Sequence, residues 1–594
     1  MKRSIRNRIQ NYAVYASMLA ILPGIVAVNG CSGAHQLFSG GGGDDGHSRT
    51  AEAVVRIVWP VREPSRLIPV ASNSIRITIS GPDGFSVTKV IARPATDALF
   101  SNLPPGELTV TATAHPDSLG LTLPAQAQGA QTVVTTADQQ FQLALTLDST
   151  IDRVEVTGGP AGLDVGTSGS YSVTAKNAAG QVVLTAASKW VWSVSDASLA
   201  AVTPNGLTAL VTALRPGSVI VSAREAESGK VITHALAVKD PFAATRAALN
   251  IDPDHLDNYA SPTFPVHYDA TVQRAENTPP NSPVTDKGAT LGRVLFFDKR
   301  LSFNDTVACA SCHAPGNGFV DSAQFSRGYD GEITTAHAMR LANIRYYTGA
   351  SMFWDKRAVS VEAQSTQPIQ NDVEMGFQAA HGGFGALTAK MDQLAYYPEL
   401  FKWVFGDAVI TEARVQQVLA QFERAMVSVN SKFDTGFSQV FNPGPAGGGV
   451  NRPFPNYTTQ EERGKTLFLT APAQGGAGCV TCHSIPTFSL DPRSLSNGLD
   501  AGETRIFKSP SLKNVGVTGP YMHDGRFATL LQVVQHYNSG IQNGPALDNR
   551  LKTPQGNPLR LNLTVADQNA LVAFLMTLTD DVLNVDPRFQ NPFK

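Results

Sequence analysis

The chain has little charge and few cysteines, and each shortage excludes something. Asp, Glu, Lys and Arg make up only 16% of its 594 residues while apolar types make up 42%, which excludes a disordered chain and departs from the charge-rich composition of a cytosolic enzyme. A folded, exported protein fits better. Forty-seven basic residues nearly balance 49 acidic ones, so there is no basic field to neutralise phosphates and nucleic acid is not a partner. Beyond the first 28 residues no uncharged run is long enough for a transmembrane helix. At roughly 150 residues per domain the length calls for several modules rather than one core. The five cysteines are unevenly placed: Cys31 stands alone, and the rest form the pairs Cys309/Cys312 and Cys479/Cys482, each spaced C-x-x-C and each followed by His.

The start of the chain reads as an export signal. Lys2, Arg3, Arg6 and Arg8 precede an apolar stretch from Tyr12 to Val28 that closes on Val28-Asn29-Gly30-Cys31. That ending resembles the lipobox of bacterial lipoproteins, where cleavage before the cysteine is coupled to its lipidation. The competing readings are an uncleaved membrane helix and an ordinary signal peptide with an incidental cysteine. On the first reading residues 1–30 are a signal peptide, and 31–50, rich in glycine, are a tether from a lipidated Cys31. The chain then belongs to the bacterial cell envelope, anchored by lipid and facing the periplasm or the outer surface.

Two β-modules are expected next. Ile75, Ile77 and Ile79 alternate with Arg76 and Thr78 ahead of the turn Gly81-Pro82-Asp83-Gly84, and residues 51–148 resemble a prealbumin-like β-sandwich. Residues 151–240 repeat the grammar with Asn177-Ala178-Ala179-Gly180 as a hairpin turn and Trp190-Val191-Trp192 as a half-buried strand. They resemble a bacterial Ig-like group 2 domain. Neither module shows clustered His, Asp or Glu at ligand spacing, so both read as spacers or docking surfaces. Residues 241–285 are expected to be a linker.

The chemistry lies in Cys309-Ala310-Ser311-Cys312-His313 and Cys479-Val480-Thr481-Cys482-His483. Two thiols three residues apart on one turn reach both vinyl groups of a porphyrin, and the adjacent histidine ligates the iron. The rival is a zinc site built from four thiolates, which would not require the histidine in both copies. The expected cofactors are two covalently bound haem c groups, held by Cys309, Cys312, Cys479 and Cys482, with His313 and His483 as iron ligands.

The flanking residues resemble one family from residue 286 to the C-terminus: the bacterial di-haem cytochrome c peroxidases and their MauG-type relatives. The resemblance is carried by Leu291-Gly292-Arg293, Phe353-Trp354-Asp355-Lys356-Arg357, Gln364, Asn371-Asp372-Val373-Glu374-Met375, Phe422-Glu423-Arg424, Phe507-Lys508-Ser509-Pro510-Ser511-Leu512 and Tyr521-Met522-His523-Asp524-Gly525-Arg526. It implies two all-α cytochrome c-like domains, residues 286–455 and 456–594, following the all-β modules. It also implies that Trp354 relays electrons between the haems and that Glu374, with Gln364 beside it, is the acid/base carboxylate on the peroxide side of the first haem.

The sequence departs from the peroxidase pattern at two places. Where the family carries a histidine that closes the first haem, this chain has Tyr329. His337 falls where the family has an asparagine of an interdomain calcium site, which argues against calcium. The first haem's far side is therefore Tyr329, His337 or open. For the second haem the family's methionine position is Tyr537, the MauG-type choice; the alternative is Tyr537 as a core aromatic with Met522 or His536 as ligand. The resemblance implies an oxidoreductase that consumes hydrogen peroxide, with electrons from a small cytochrome c or cupredoxin. The alternatives are a MauG-like oxidase acting on a partner protein and a non-enzymatic electron carrier docked by its β-modules.

Overall fold

The computed structural model describes residues 50–57, 69–143, 145–349, 351–444 and 447–594. The signal segment, the tether and Cys31 lie outside the described residues. An N-terminal β-sheet region precedes a C-terminal helical region, and among the described residues no helix is long and apolar enough to cross a membrane.

The first β-region has a five-stranded antiparallel sheet in the order Ser86–Ala92, Ser74–Ser80, Gly106–His115, Ala127–Thr135, Asp148–Ser149. A three-stranded sheet places Ala51–Arg56 between Asp97–Leu103 and Gln140–Leu143. The period-two pattern sets the core. Ile75, Ile77 and Ile79 are buried together with Leu108 and Val110, and Val55 and Phe100 of the smaller sheet join the same cluster. Asp83 and Gly84 take positive φ at the hairpin turn, the conformation that Asp-Gly admits at least cost.

The second β-region has two four-stranded sheets. One runs Gly162–Asp164, Val231–Lys239, Gly217–Glu225, Trp190–Val194; the other runs Ala200–Asn205, Thr208–Ala213, Ser168–Lys176, Arg153–Gly158. Trp190 and Trp192 are buried while Val191 between them is exposed, and Trp192 Nε1 donates to the Gly206 carbonyl at 2.9 Å. The aromatic anchor expected from alternation is therefore satisfied at its polar edge as well.

Two helix pairs organise the C-terminal region, and they are built alike. The helix Asp286–Phe297, capped by Thr285, crosses the helix Glu412–Ala425, capped by Thr411. They meet so closely at Gly292 that a Cβ there would lie 2.0 Å from the Val418 carbonyl oxygen. The helices Thr459–Leu469 and Val565–Met576 repeat the crossing at Gly464, where a Cβ would lie 1.9 Å from the Ala570 carbonyl oxygen. Each pair carries its own core, one around Leu291, Val418 and Phe422 and the other around Leu467, Phe468 and Phe574.

The stretch expected as a linker has fixed contacts. Glu399 accepts from the Ala244 and Thr245 amides at 3.0 and 2.8 Å. Asp286 accepts from the Tyr259 amide, and the Tyr259 hydroxyl donates to the Arg588 carbonyl, both at 2.7 Å. Leu249 bridges to Phe593 near the end of the chain. Buried His267 donates to Asp434, which also pairs with buried Lys513, so these charges are satisfied in a network as burial requires.

Candidate haem and peroxide site

The two Cys-x-x-Cys-His motifs fold as matching turns, Cys309–Cys312 as one helical turn and Cys479–Thr481 as a 3-10 turn. Each is followed by a phenylalanine at positive φ, Phe319 and Phe488. His313 Nδ1 lies 3.1 Å from the Phe319 carbonyl oxygen, which fixes the ring and leaves its other nitrogen for a ligand role. Burial pushes the His483 imidazole down to about 4, so the ring is neutral and able to ligate. Burial raises the thiols: Cys312 to about 11 and Cys479 to about 12.

The repetition continues past the motifs. Asn343 and Asn514 both take positive φ, as do Phe353 and Met522, then Lys356 and Gly525. The bridge Met352 to Ala358 matches Tyr521 to Phe527. Asp355 pairs with Arg357 as Asp524 pairs with Arg526, and Ser360 and Thr529 cap the next helices, Val361–Ser365 and Leu530–Gln535. In this register Trp354 corresponds to His523, and Tyr537 of the second half corresponds to Pro368 of the first. One half thus offers a phenol where the other offers a side chain that cannot ligate. The sequence reading missed this correspondence, although the pattern aromatic-or-Met, aromatic, Asp, x, Arg is present in both halves.

A cavity of about 410 Å³ opens at the second motif, lined by Cys479, Cys482, His483, Met522 and Tyr537 among apolar side chains. Its size and lining suit a large apolar cofactor. His483 Nδ1 is buried without a hydrogen-bond partner among the described residues. The two cysteine pairs belong to different clusters, Cys309 packing with the first helix pair and Cys479 with the second. Among the described residues no three His, Cys, Asp or Glu side chains converge to hold a metal ion. The thiols are therefore not gathered into one four-sulfur site, and thiol, histidine and cavity fit haem.

Tyr537 sits in a π-helical turn, His536–Gly540, a local widening that re-aims side chains and recurs at functional sites. Burial raises its phenol to about 12 despite the Asn497 amide 3.4 Å from its hydroxyl. Met522 Sδ lies 3.5 Å from the same amide. His536 is held elsewhere, with Nε2 3.1 Å from the Asn497 carbonyl oxygen. Of the three side chains weighed for the second iron, Tyr537 and Met522 face the cavity and His536 is engaged by backbone.

At the first motif, Glu374 is positioned by its backbone. Asn371 Oδ1 accepts from its amide at 3.0 Å and its carbonyl accepts from the Tyr329 amide at 3.0 Å. Gly328 is pressed so tightly on this turn that a Cβ would lie 1.5 Å from the Val373 carbonyl oxygen. Burial raises the Glu374 carboxyl above the usual range, with Arg357 opposing. Its charge also registers at Cys309 and Cys312. Gln364 lies on the helix Val361–Ser365, and no hydrogen bond joins it to Glu374 among the described residues. The Tyr329 ring packs edge-on to Phe303 and His381, a packing role. His337 lines the cavity of the second motif, with Nδ1 3.1 Å from the Gln324 carbonyl oxygen. Trp354 stands at the junction of the two halves: its Nε1 donates to the His337 carbonyl at 2.8 Å, and its ring lies 6.4 Å from that of His523.

One acid was not singled out for a role. Glu423 is fully buried beside Cys309 with Oε2 unpartnered among the described residues, and burial raises its carboxyl to about 8. Its neighbour Arg424 pairs with Glu362.

A family model described as di-haem cytochrome c peroxidase matches residues 286–439. A methylamine utilization protein MauG of Methylorubrum extorquens is 30% identical over 326 residues, covering 52% of this chain and 83% of the relative. A cytochrome c551 peroxidase of Nitrosomonas europaea is 30% identical over 332 residues, covering 53% and 84%. A crystal structure of a MauG-like protein associated with microbial copper homeostasis aligns with 27% identity and a TM-score of 0.43, covering 57% of this chain and 99% of that one. The likeness to these two relatives shows that the chain belongs to the di-haem cytochrome c peroxidase and MauG family, to which the family model also points. It is accordingly a haem-dependent oxidoreductase of the peroxidase type.

Proposed function

We propose that this chain reduces hydrogen peroxide with two covalently attached haems: one that Cys309, Cys312 and His313 would hold on the peroxide side, and one that Cys479, Cys482 and His483 would hold on the electron-donor side. Haem, when bound, supplies the iron that binds and cleaves peroxide; everything else falls to the chain. The observation that carries this reading is the asymmetry within the repeat. The second half presents Tyr537 and Met522 to its cavity, whereas the first half has Pro368 in the matching register and a buried carboxyl, Glu374, close to its motif.

Glu374 takes a proton from peroxide on its carboxylate oxygen and returns it to the departing oxygen, a role that a raised carboxyl performs well near neutral pH. Gln364 orients the incoming oxidant. Trp354, tied by hydrogen bonds to both halves, carries electrons between them. We assign each helix pair with its motif to one cytochrome c-like domain, and the paired sheets of the β-region to a prealbumin-like and an Ig-like group 2 sandwich. Lipidation of Cys31 anchors the chain at the cell envelope, and the β-modules hold the haem domains away from that surface.

The donor is a reduced small cytochrome c or cupredoxin. Tyr537 in the cavity favours a second reading, in which a residue of a partner protein is the reductant, as in MauG-type chemistry. Peroxide turnover with a reduced small cytochrome tests the first. Covalent change in a partner after peroxide addition, without such turnover, supports the second.

A further inference from the structure

Two cations lie at the junction of the two halves with no carboxylate beside either among the described residues. Arg340 lines the cavity, where its Nε donates to the Ser511 carbonyl at 2.6 Å and its Nη1 reaches Thr518 Oγ1 at 3.0 Å. Burial lowers it to about 10, opposed by the Tyr521 phenol and by no carboxylate. Lys508 also lines the cavity and is only 2% exposed. The polar neighbour of its Nζ is the Met339 sulfur at 3.3 Å, and the ammonium sits 4.7 Å from the Tyr347 ring centroid. Burial pushes it down to about 7, with Arg340 and Lys356 adding repulsion.

The cavity's own acid cannot serve them. Asp548 is bound to Arg550 at 2.7 Å and to the Leu495 amide at 3.0 Å.

Buried charge is tolerated only when paired. A guanidinium cannot escape by losing its proton. An apolar cavity with two unmatched cations therefore calls for a ligand with a large apolar body and carboxylates at its edge. Haem is such a ligand, since its two propionates leave one edge of an apolar ring.

We infer that Arg340 and Lys508 form a carboxylate clamp between the two halves, binding haem propionate. Phe507-Lys508-Ser509-Pro510 thereby acquires a task, and the clamp rests on the haem reading above. Held against these cations, the propionates stay ionised across the neutral range, and their charge does not vary with pH.

The test is the midpoint potential of each haem between pH 6 and 8 in the wild-type chain, in Lys508→Gln and Arg340→Gln, and in the charge-keeping Lys508→Arg and Arg340→Lys. Covalent haem content is measured on the same samples. The clamp predicts flat midpoints in the wild type. It predicts a midpoint that is lowered and falls as pH rises in the Gln variants, because a propionate without its cation titrates in this range. Near-wild-type behaviour should return in the charge-keeping variants. A wild-type midpoint that follows a propionate titration overturns the clamp without any variant, as do unshifted midpoints in the Gln variants. A midpoint that responds to added phosphate would assign the cations to a diffusible anion and also overturn it. A chain without covalent haem would instead contradict the functional reading itself.

Discussion

Glu374 and Tyr537 are the residues at which the chemistry divides. Replacing Glu374 with Gln keeps the volume and removes the base, so peroxide cleavage should slow by about two to four orders of magnitude, the usual range for a positioned acid/base group, with both haem spectra unchanged. Its carboxyl is raised by burial and must be ionised to take the peroxide proton. The wild-type rate should therefore fall as pH drops through that raised value, and Glu374→Gln should lose this acid limb; stopped-flow rates between pH 4 and 8 check both. Tyr537→Met should raise the second haem's potential, because a neutral thioether favours ferrous iron over an anionic oxygen. Met522 lies against the same Asn497 amide, so Met522→Leu is the necessary companion. If Tyr537 is the ligand, Met522→Leu leaves the spectrum unchanged; if Met522 is, the two results exchange. Glu423 gives a stability prediction. Burial raises its carboxyl to about 8, so the stability carried by its neutral form is present below the ordinary glutamate range. That stability is lost as pH rises through about 8. Thermal unfolding of Glu423→Gln should show a smaller loss than the wild type between about pH 4.5 and 8.

Among the elements, the helix crossings are the least forgiving feature. Gly292→Ala and Gly464→Ala each drive a methyl into a backbone carbonyl of the partner helix, and overpacking of this kind costs about 1–3 kcal/mol or more. Gly385→Ala, inside the helix Gly383–Asp392 with open space around it, should be neutral or slightly stabilising. Denaturant unfolding of the three variants separates steric from propensity effects. The motifs were legible in the sequence because haem attachment is local, with every requirement written within five residues. The β-strands were legible from Ile75, Ile77 and Ile79 and from Trp190 and Trp192, whose alternation survives folding unchanged. Gly292 entered only as part of a family pattern, since Gly292 and Gly464 matter through a partner helix more than a hundred residues away. The unmatched burial of Arg340 and Lys508 was not legible either. Charge in a sequence does not reveal which cations lose their water, and that depends on how the two halves close. Residues 241–285 read as a linker, but their anchors Glu399 and Arg588 are distant in the chain.

For the whole molecule, the proposal is a tethered pair of β-modules carrying two unlike haem sites. Replacing Cys309 and Cys312 by Ala should remove one covalent haem per chain, and replacing Cys479 and Cys482 the other; intact mass and haem staining of the denatured chain check this. Deleting residues 51–240 should leave peroxide turnover in place and alter only where the protein resides, which cell fractionation reads. The two sites should also differ in kind, and the electron paramagnetic resonance spectrum of the oxidised protein, before and after one equivalent of peroxide, measures that most directly. Two distinct ferric signals are predicted before addition, one high-spin from an iron with an open position and one low-spin. The high-spin signal should be lost on adding peroxide. Two like low-spin signals that peroxide leaves unchanged would contradict an open first haem and a peroxidase function together.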